Sequence, residues 1–298
     1  KTGRVGLGYL LNPQGNIKAE ATIANLPDGR VWYGSAAAAE FHDMDWLTQN
    51  IRADEDVQIR SLTNEHTILV LAGPKARAVL SQVARGDWSA AAFPWLSVRE
   101  AFVGIAPAVV MSVSFSGEQA YEIHIPNAQL YAAYLALRKA GAAHGLTLFG
   151  ARAVDSMRLE KGYRHWKADL ITEFNPYESG LDRFVNMQKP DFIGKAALQS
   201  AQSQPHPLPQ PLRRKFVTLT LDCTHAPAQA GDSVVQDGQV VGTITSADWG
   251  HRTGKNIAMA FLKPEATENL MVEVIGRPVP AKITDSCLYD PENTLPKS

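Results

Sequence analysis

The order of apolar and polar residues predicts two strands near the start of the chain, at 4–12 and 17–26. The NPQG segment between them is typical of a turn, because Pro fixes φ and Gly accepts a positive φ. Side chains alternate between the two faces of a strand. The second strand therefore places three polar residues on one face: Lys18, Glu20 and Thr22. A strand carboxylate is most often a surface group, so Glu20 alone predicts no reaction.

The next part of the chain mixes helical and strand periods. An Ala-rich helix is predicted at 36–50, and a short buried strand at 67–71 precedes a helix opened by Gly-Pro. Two further strands are predicted at 109–115 and 121–125, followed by a helix with Asn127 as its N-cap. Residues 57–145 thus predict a β-α-β-β-α pattern, which is typical of a ferredoxin-like domain with helices on one sheet face.

In the second half of the chain the predicted secondary structure changes from mixed helices and strands to strands alone. A charged helix at 151–161 is expected to end at Gly162. Four alternating prolines between 205 and 211 favour an extended linker. Beyond it the pattern predicts only strands, with Asp-Gly at 237–238 as a hairpin turn. An all-β module, either a barrel or a sandwich, is therefore expected over 212–290. Its strands are predicted at 215–221, 233–236, 239–246, 256–262, 270–275 and 279–283.

Length, net charge and the apolar runs limit the class of protein and the kinds of partner. With 298 residues the chain can bury about three quarters of its extended surface without a disulfide or a metal. The net charge of −1 argues against a nucleic-acid or polybasic membrane binder. The apolar runs are shorter than the roughly 20 residues of a membrane span. Because the chain begins at Lys1, without Met and directly at a predicted strand, we expect sequence to precede it.

Cysteine and histidine usage predicts no metal site. The two cysteines, Cys223 and Cys287, lie far apart in the sequence and form no CxxC motif. The eight histidines lack the HxxxH or HxH spacing of metal ligands. Sparse cysteine usage favours a reducing compartment. The remaining candidates are strand carboxylates, Glu20 and Glu122, and the residues alone do not assign them a reaction.

Four segments together resemble one family. They are VGLGYLLNPQGNIKAEATIANL at 5–26, SFSGEQAYEIHIP at 114–126, the long stretch from FGARAVDSMRLEKG at 149–198, and VVGTITSADWGHRTGKNIAMAFLKPE at 240–265. The chain is similar to the glycine-cleavage T-protein family, the folate-binding aminomethyltransferases. That family also supplies the C-terminal half of dimethylglycine and sarcosine dehydrogenases and oxidases. The GHRTGKNIAMAF stretch looks closer to this dehydrogenase branch.

The resemblance implies an α+β fold of three domains in a cloverleaf. A discontinuous first domain would comprise 1–56 and 146–204, a ferredoxin-like second domain 57–145, and a β barrel 205–298 behind the linker. The front of the first domain would be missing from this chain. In the dehydrogenase branch an upstream domain or subunit binds FAD, so FAD is expected outside this chain. The expected compartment is the cytoplasm, or the mitochondrial matrix in a eukaryote.

The resemblance also implies a reaction. Tetrahydrofolate would capture a one-carbon unit from the iminium derived from an N-methyl amine, giving 5,10-methylenetetrahydrofolate. Glu20 matches the catalytic carboxylate, which is typically Asp in the family, and its extra methylene would move the carboxylate by about 1 Å. Thr22 matches a folate contact. Glu122 matches the glutamate that accepts the N–H edge of the pterin, a fork geometry suited to a carboxylate.

Three further residues are expected near folate. Phe115 stands where the family often has Tyr, keeping the ring but not the hydroxyl. Arg152 matches a helix Arg that meets the benzoyl-glutamate end, although an i,i+3 pair with Asp155 explains it equally well. Trp166 would pack on the folate channel or in the core, and Asp169 is expected to be structural. Two other readings stay open: a flavin-independent S- or O-demethylase, and a degenerate domain with an assembly or regulatory role.

Overall fold

The computed structural model describes residues 1–203 and 213–298, which form two compact units. The first unit comprises 1–7, 21–150 and 292–298, and the second comprises 8–20 and 151–291. The proline linker predicted at 205–211 lies outside the described residues. The predicted three-domain boundaries remain a prediction.

The first two predicted strands are confirmed as β1 (Val5–Leu11) and β2 (Ile17–Asn25). They form a three-stranded sheet with β3 (Val31–Gly34), which the sequence pattern did not predict. Burial alternates along the first part of β2, with Ile17, Ala19 and Ala21 fully buried. The opposite face carries half-buried residues, as predicted: Lys18, Glu20 and Thr22.

The rest of the first unit is built around a four-stranded antiparallel sheet. Along the chain, helix α1 (Glu40–Gln49) comes before the first strand of this sheet. Helix α2 (Ala76–Val83) comes between its first and second strands, and α3 (Leu130–Ala142) comes after its last strand. Side chains of Tyr121, Ile123 and Ile125 form its fully buried core together with Leu80. The strands, β4 (His66–Ala72), β5 (Val98–Val103), β6 (Ala106–Met111) and β7 (Ala120–Pro126), take the order β4-β7-β6-β5.

Two sequence predictions in this unit differ from the structure, one in the bounds of a strand and one in a helix cap. The strand predicted at 109–115 ends at Met111, and a serine-rich loop follows. Asn127 does not cap α3, because its side chain binds elsewhere: it accepts from the Thr67 hydroxyl at 2.7 Å and donates to the Asn64 carbonyl at 2.9 Å. A 3-10 turn over Asn127–Gln129 leads into α3 instead. The pattern also missed β5, where the adjacent charges of Arg99 and Glu100 obscure the alternation.

The second unit contains a closed six-stranded barrel, which settles the choice between barrel and sandwich. Its strand order is β10-β11-β8-β13-β12-β9. The predicted Asp-Gly hairpin is confirmed between the second and third barrel strands, with φ of 49° at Asp237 and 75° at Gly238. The strands are β8 (Lys215–Leu221), β9 (Ser233–Gln236), β10 (Gln239–Gly250), β11 (Lys255–Leu262), β12 (Leu270–Val274) and β13 (Arg277–Thr284).

The charged helix of the second unit is α4 (Ala151–Glu160), and it ends as the sequence predicts. Gly162 adopts φ of 70°, and its N–H donates to the Leu159 carbonyl at 3.0 Å. The Tyr163 N–H donates to the Arg158 carbonyl at 2.9 Å, which completes a Schellman-type end. Two further helices are α5 (Lys195–Ser203), in the second unit, and α6 (Thr294–Lys297), in the first.

Replacing Gly162 by Ala is expected to lower the free energy of unfolding by about 2 kcal/mol or more. A side chain is strained at this φ, and its Cβ would also clash with the Ser286 carbonyl. Urea unfolding measures the change. Gly254→Ala is the matched control, since Gly254 has φ of 65° in the same unit but open space around it. Equal losses in the two variants would show that the clash contributes nothing.

Candidate functional site

Glu20 lies in a polar cluster of the second unit. The Tyr9 hydroxyl, on β1, donates to Glu20 Oε1 at 3.1 Å. Burial is the largest influence and raises the pKa of Glu20 to about 7. The Tyr9 hydrogen bond and the Arg164 guanidinium oppose this rise in the pKa, whereas the Asp169 carboxylate adds to it. The carboxyl group therefore titrates well above the usual range of a glutamate.

Tyr9 is fixed by aromatic and cationic neighbours. The Phe184 ring meets it edge-on, with centroids 5.0 Å apart. Burial and the Glu20 charge raise the pKa of Tyr9 far above its usual range, whereas the Arg164 and Arg183 charges oppose the rise. The phenol consequently stays protonated and acts as a donor. Within 1–203 and 213–298, Tyr9 is the one hydrogen-bond donor to the Glu20 carboxylate.

Arg164 supplies a partly desolvated positive charge to the same cluster. Its Nη2 donates to the Gly180 carbonyl at 3.0 Å, and its guanidinium carbon lies 4.7 Å from the centroid of the Phe216 ring. Burial lowers the pKa of Arg164. Its Nε is buried and finds no acceptor among the described residues. A carboxyl group titrating near neutrality beside a fixed donor and a cation is suited to general acid–base chemistry.

Asp169 is a structural carboxylate, as the sequence reading expected. It is fully buried and accepts from the Arg158 guanidinium, from the Thr245 hydroxyl and from the His165 N–H at 2.9 Å. Arg158 is buried too, and its Nε also donates to Asp155 at 3.1 Å. Hydrogen-bond donors occupy both oxygens of Asp169, so this carboxylate joins segments of the second unit rather than serving a ligand.

Glu122 belongs to the first unit and lies on the sheet face opposite the core. On β7 it pairs with Val70 of β4 and with Met111 of β6. Its side chain is 34% exposed, and His124 Nε2 lies 3.4 Å from Oε2 without hydrogen-bond geometry. Val70 is 52% exposed. The carboxylate thus has free acceptor positions beside apolar surface, which suits a flat ligand with an N–H edge.

Two other predicted residues also lie in the first unit. Thr22 is half-buried on β2 and pairs with Gly34 of β3. Phe115 lies in the loop before β7 and is 42% exposed, so its ring is accessible. The first unit therefore contains Thr22, Phe115 and Glu122, whereas the second contains Glu20, Arg152 and Trp166.

Arg152 and Trp166 differ in their surroundings. Arg152 is exposed on α4 and, among the described residues, forms no hydrogen bond or ion pair. The pair with Asp155 was wrong as an explanation, because Asp155 binds Arg158 instead. Trp166 is 6% exposed, and its buried Nε1 lacks an acceptor within the described chain. Core packing of Trp166 is therefore observed, and its folate contact remains a prediction.

The sequence reading missed Tyr9 and Arg164. Tyr9 sits at an ordinary position of an apolar strand, and only the pairing of β1 with β2 brings it to Glu20. Arg164 follows the end of α4, in a segment without a regular period. In the described part of the chain, no group of three or more His, Cys, Asp or Glu side chains is placed to hold a metal ion.

Comparisons with known proteins agree on the class defined by this fold, that of the aminomethyltransferases. The solved structure of glycine cleavage system aminomethyltransferase T from Bartonella henselae superimposes with a TM-score of 0.82 at 23% identity. The match covers 96% of this chain and 76% of that chain. The aminomethyltransferase of Koribacter versatilis is 27% identical over 97% of this chain and 75% of its own length.

The chain belongs to the glycine cleavage T-protein family. Residues 1–189 match the family described as GCVT N-terminal domain, and 214–290 match the glycine cleavage T-protein C-terminal barrel domain. The mitochondrial dimethylglycine dehydrogenase of Homo sapiens is 31% identical over 99% of this chain. The chain spans about a third, 34%, of the length of that relative. No helix of the described residues has the length and apolarity to cross a membrane.

Proposed function

We propose that this chain is a tetrahydrofolate-dependent aminomethyltransferase module that receives a one-carbon unit from an N-methyl amine. The observation that carries the proposal is the Glu20 carboxyl, which titrates near neutral pH and is held by Tyr9. Family membership supplies the reaction class. The dehydrogenase relatives are named for dimethylglycine and sarcosine, so an iminium from an N-methylated amino acid is the proposed donor.

The chemistry of several individual side chains supports tetrahydrofolate as the ligand. Glu122 offers an accessible carboxylate without a hydrogen-bond donor among the described residues, next to the exposed apolar side chain of Val70. A pterin presents a ring N–H and an exocyclic amine, which such a carboxylate accepts as a fork. Phe115 supplies accessible ring surface, and Arg152 supplies an exposed positive charge for the anionic tail of folate. Thr22 is proposed as a further folate contact.

The proposed roles divide between holding the ligand and moving a proton. When bound, tetrahydrofolate supplies the amine nitrogens that take up the one-carbon unit. Glu122 orients the pterin by accepting its N–H groups. Glu20 accepts a proton at its carboxylate and stabilises nearby positive charge, which is the electrostatic part of the catalysis. Trp166 is proposed to contribute packing rather than a hydrogen bond.

We further propose that a flavin-containing part outside this chain generates the iminium. Two features support the proposal: the chain spans about a third of its dehydrogenase relatives, and the sarcosine oxidase subunit alpha of Rhizobium meliloti is 28% identical over 98% of the chain. FAD would be bound by that other part. The proposed compartment is the cytoplasm, or the mitochondrial matrix in a eukaryote, as for the mitochondrial human relative.

Replacing Glu122 by Ala is expected to weaken tetrahydrofolate binding about 10- to 100-fold, because a charge-assisted hydrogen-bond acceptor is lost. Anaerobic isothermal titration calorimetry of the full chain with tetrahydrofolate measures this. Glu100→Ala is the matched control, since Glu100 is an exposed strand carboxylate of the same sheet, paired with Arg30 at 2.6 Å. Absence of binding to the unmodified chain, or equal affinity in the Glu122→Ala variant, would contradict the proposal.

A further inference from the structure

We propose that Tyr9 is a positioning residue for Glu20: its hydroxyl fixes the carboxylate and sets the pH at which this group exchanges its proton. The inference rests on the proposed function, in which Glu20 moves the proton. It goes further because it names a residue that neither the sequence motifs nor the family resemblance singled out. The juxtaposition that carries it is the 3.1 Å hydrogen bond from the Tyr9 hydroxyl to Glu20 Oε1.

The length of the Glu20 side chain explains why a positioning group is needed. The family resemblance implies Asp at this position, and Glu has one more rotatable bond and reaches further from the strand. A free carboxylate on a longer stem occupies several rotamers, and a displacement of about 1 Å reduces catalysis strongly. Tyr9 removes this freedom, because its own ring is packed edge-on against Phe184.

Charged groups surround Glu20, but the hydrogen bond to its carboxylate comes from Tyr9. Three groups face Glu20: Tyr9 on β1, Arg164 in the segment after α4, and the carboxylate of Asp169. Tyr9 also faces Arg183. Asp169 is already tied to its own donors, and Arg164 is directed to the Gly180 carbonyl. Tyr9 is thus the donor that binds the ionised form of Glu20 directly, opposing the effect of burial.

The direction in which Tyr9→Phe should change the pKa of Glu20 follows from this hydrogen bond. A hydrogen bond to the ionised carboxylate favours ionisation and lowers the pKa of the acid. Burial stays unchanged when Tyr9 becomes Phe, so the pKa of Glu20 is expected to rise from its value of about 7. Glu20 then stays protonated to higher pH, and the activity that needs the carboxylate is lost on the acidic side first.

The test is Tyr9→Phe in the full chain, with two readouts. In the ligand-free chain, ¹³C NMR of labelled glutamate carboxyls follows the titration, with Glu20→Gln identifying the resonance. The midpoint is expected to move upward by about 1 pH unit or more. In turnover assays the acidic limb of methylenetetrahydrofolate formation should move by the same amount, while the KM for tetrahydrofolate changes less than about two-fold.

Tyr33→Phe is the matched control. The Tyr33 hydroxyl also donates to a buried carboxylate, Asp43, at 3.0 Å, but in the first unit. This variant should leave the Glu20 midpoint unchanged. Glu20→Asp should retract the carboxylate from Tyr9, so that adding Tyr9→Phe moves the titration of the shortened side chain less than it moves the titration of Glu20. Such non-additivity is expected of two groups in contact.

Failure of this inference is separable from failure of the proposed function. A Glu20 midpoint and an acidic limb that stay in place in Tyr9→Phe would overturn the positioning role, even if Glu20→Gln abolishes turnover. Conversely, full turnover in Glu20→Gln would overturn the proposed catalytic role of Glu20. The NMR titration of the ligand-free chain would still decide whether Tyr9 controls its proton.

Discussion

Replacing Glu20 by Gln is expected to lower the rate of methylenetetrahydrofolate formation by about 100- to 10,000-fold, the usual contribution of a general acid–base group. Gln is nearly isosteric, and its amide oxygen still accepts the hydrogen bond that Tyr9 donates at 3.1 Å. The substitution removes only the proton exchange and the negative charge. Binding of tetrahydrofolate should therefore stay within a few-fold of the unmodified chain.

Single-turnover measurements with an iminium donor separate the chemical step from binding, and calorimetry checks the folate affinity of the variant. Glu100→Gln is a suitable control, because the same chemical change is made at a carboxylate that is half exposed and paired with Arg30. Turnover of the Glu20→Gln variant at the unmodified rate would remove Glu20 from the mechanism. A parallel loss of folate affinity would instead assign Glu20 to binding.

Replacing Asp169 by Ala is expected to lower the free energy of unfolding by about 3–5 kcal/mol, since it leaves a buried charge without its partner. Arg158, itself buried, would lose the carboxylate that binds its guanidinium. Thr245 and the His165 N–H would lose their acceptor as well. Urea unfolding followed by circular dichroism measures the effect.

Asp155 provides the matched control for this prediction, because it pairs with the same arginine. Its side chain is 48% exposed and lies 3.1 Å from Arg158 Nε. Asp155 is half exposed and its loss leaves Arg158 paired with Asp169, so Asp155→Ala should change stability by less than about 1 kcal/mol. Similar losses for Asp155→Ala and Asp169→Ala would show that burial does not distinguish the two carboxylates.

Sequence periodicity predicted which face of β2 is buried, but it did not predict β5. In β2 the burial of Ile17, Ala19 and Ala21 follows the expected face. In β5 the adjacent charges of Arg99 and Glu100 interrupt the apolar pattern, because strand positions that are not fully buried accept charged residues. Asn127 has the right chemistry for an N-cap but binds Thr67 and Asn64, since tertiary partners compete with local ones.

Only those candidate site residues that match the family's motifs could be predicted from the sequence. Neither the pairing of Tyr9 with Glu20 nor the place of Arg164 follows from spacing, because both depend on register and on a loop. The ion-pair partner of Asp155 could not be predicted from spacing either. Both Arg152 and Arg158 lie three residues from it on α4, and the structure selects Arg158, which Asp169 already fixes in place.

The closed barrel has a consequence for how this chain meets other proteins. Each of the six barrel strands has a hydrogen-bonded neighbour on both sides, so none of them is an edge strand. Association through this barrel must therefore use side chains and loops, whose contacts change readily by substitution. A strand of a neighbouring domain is therefore not expected to extend this sheet.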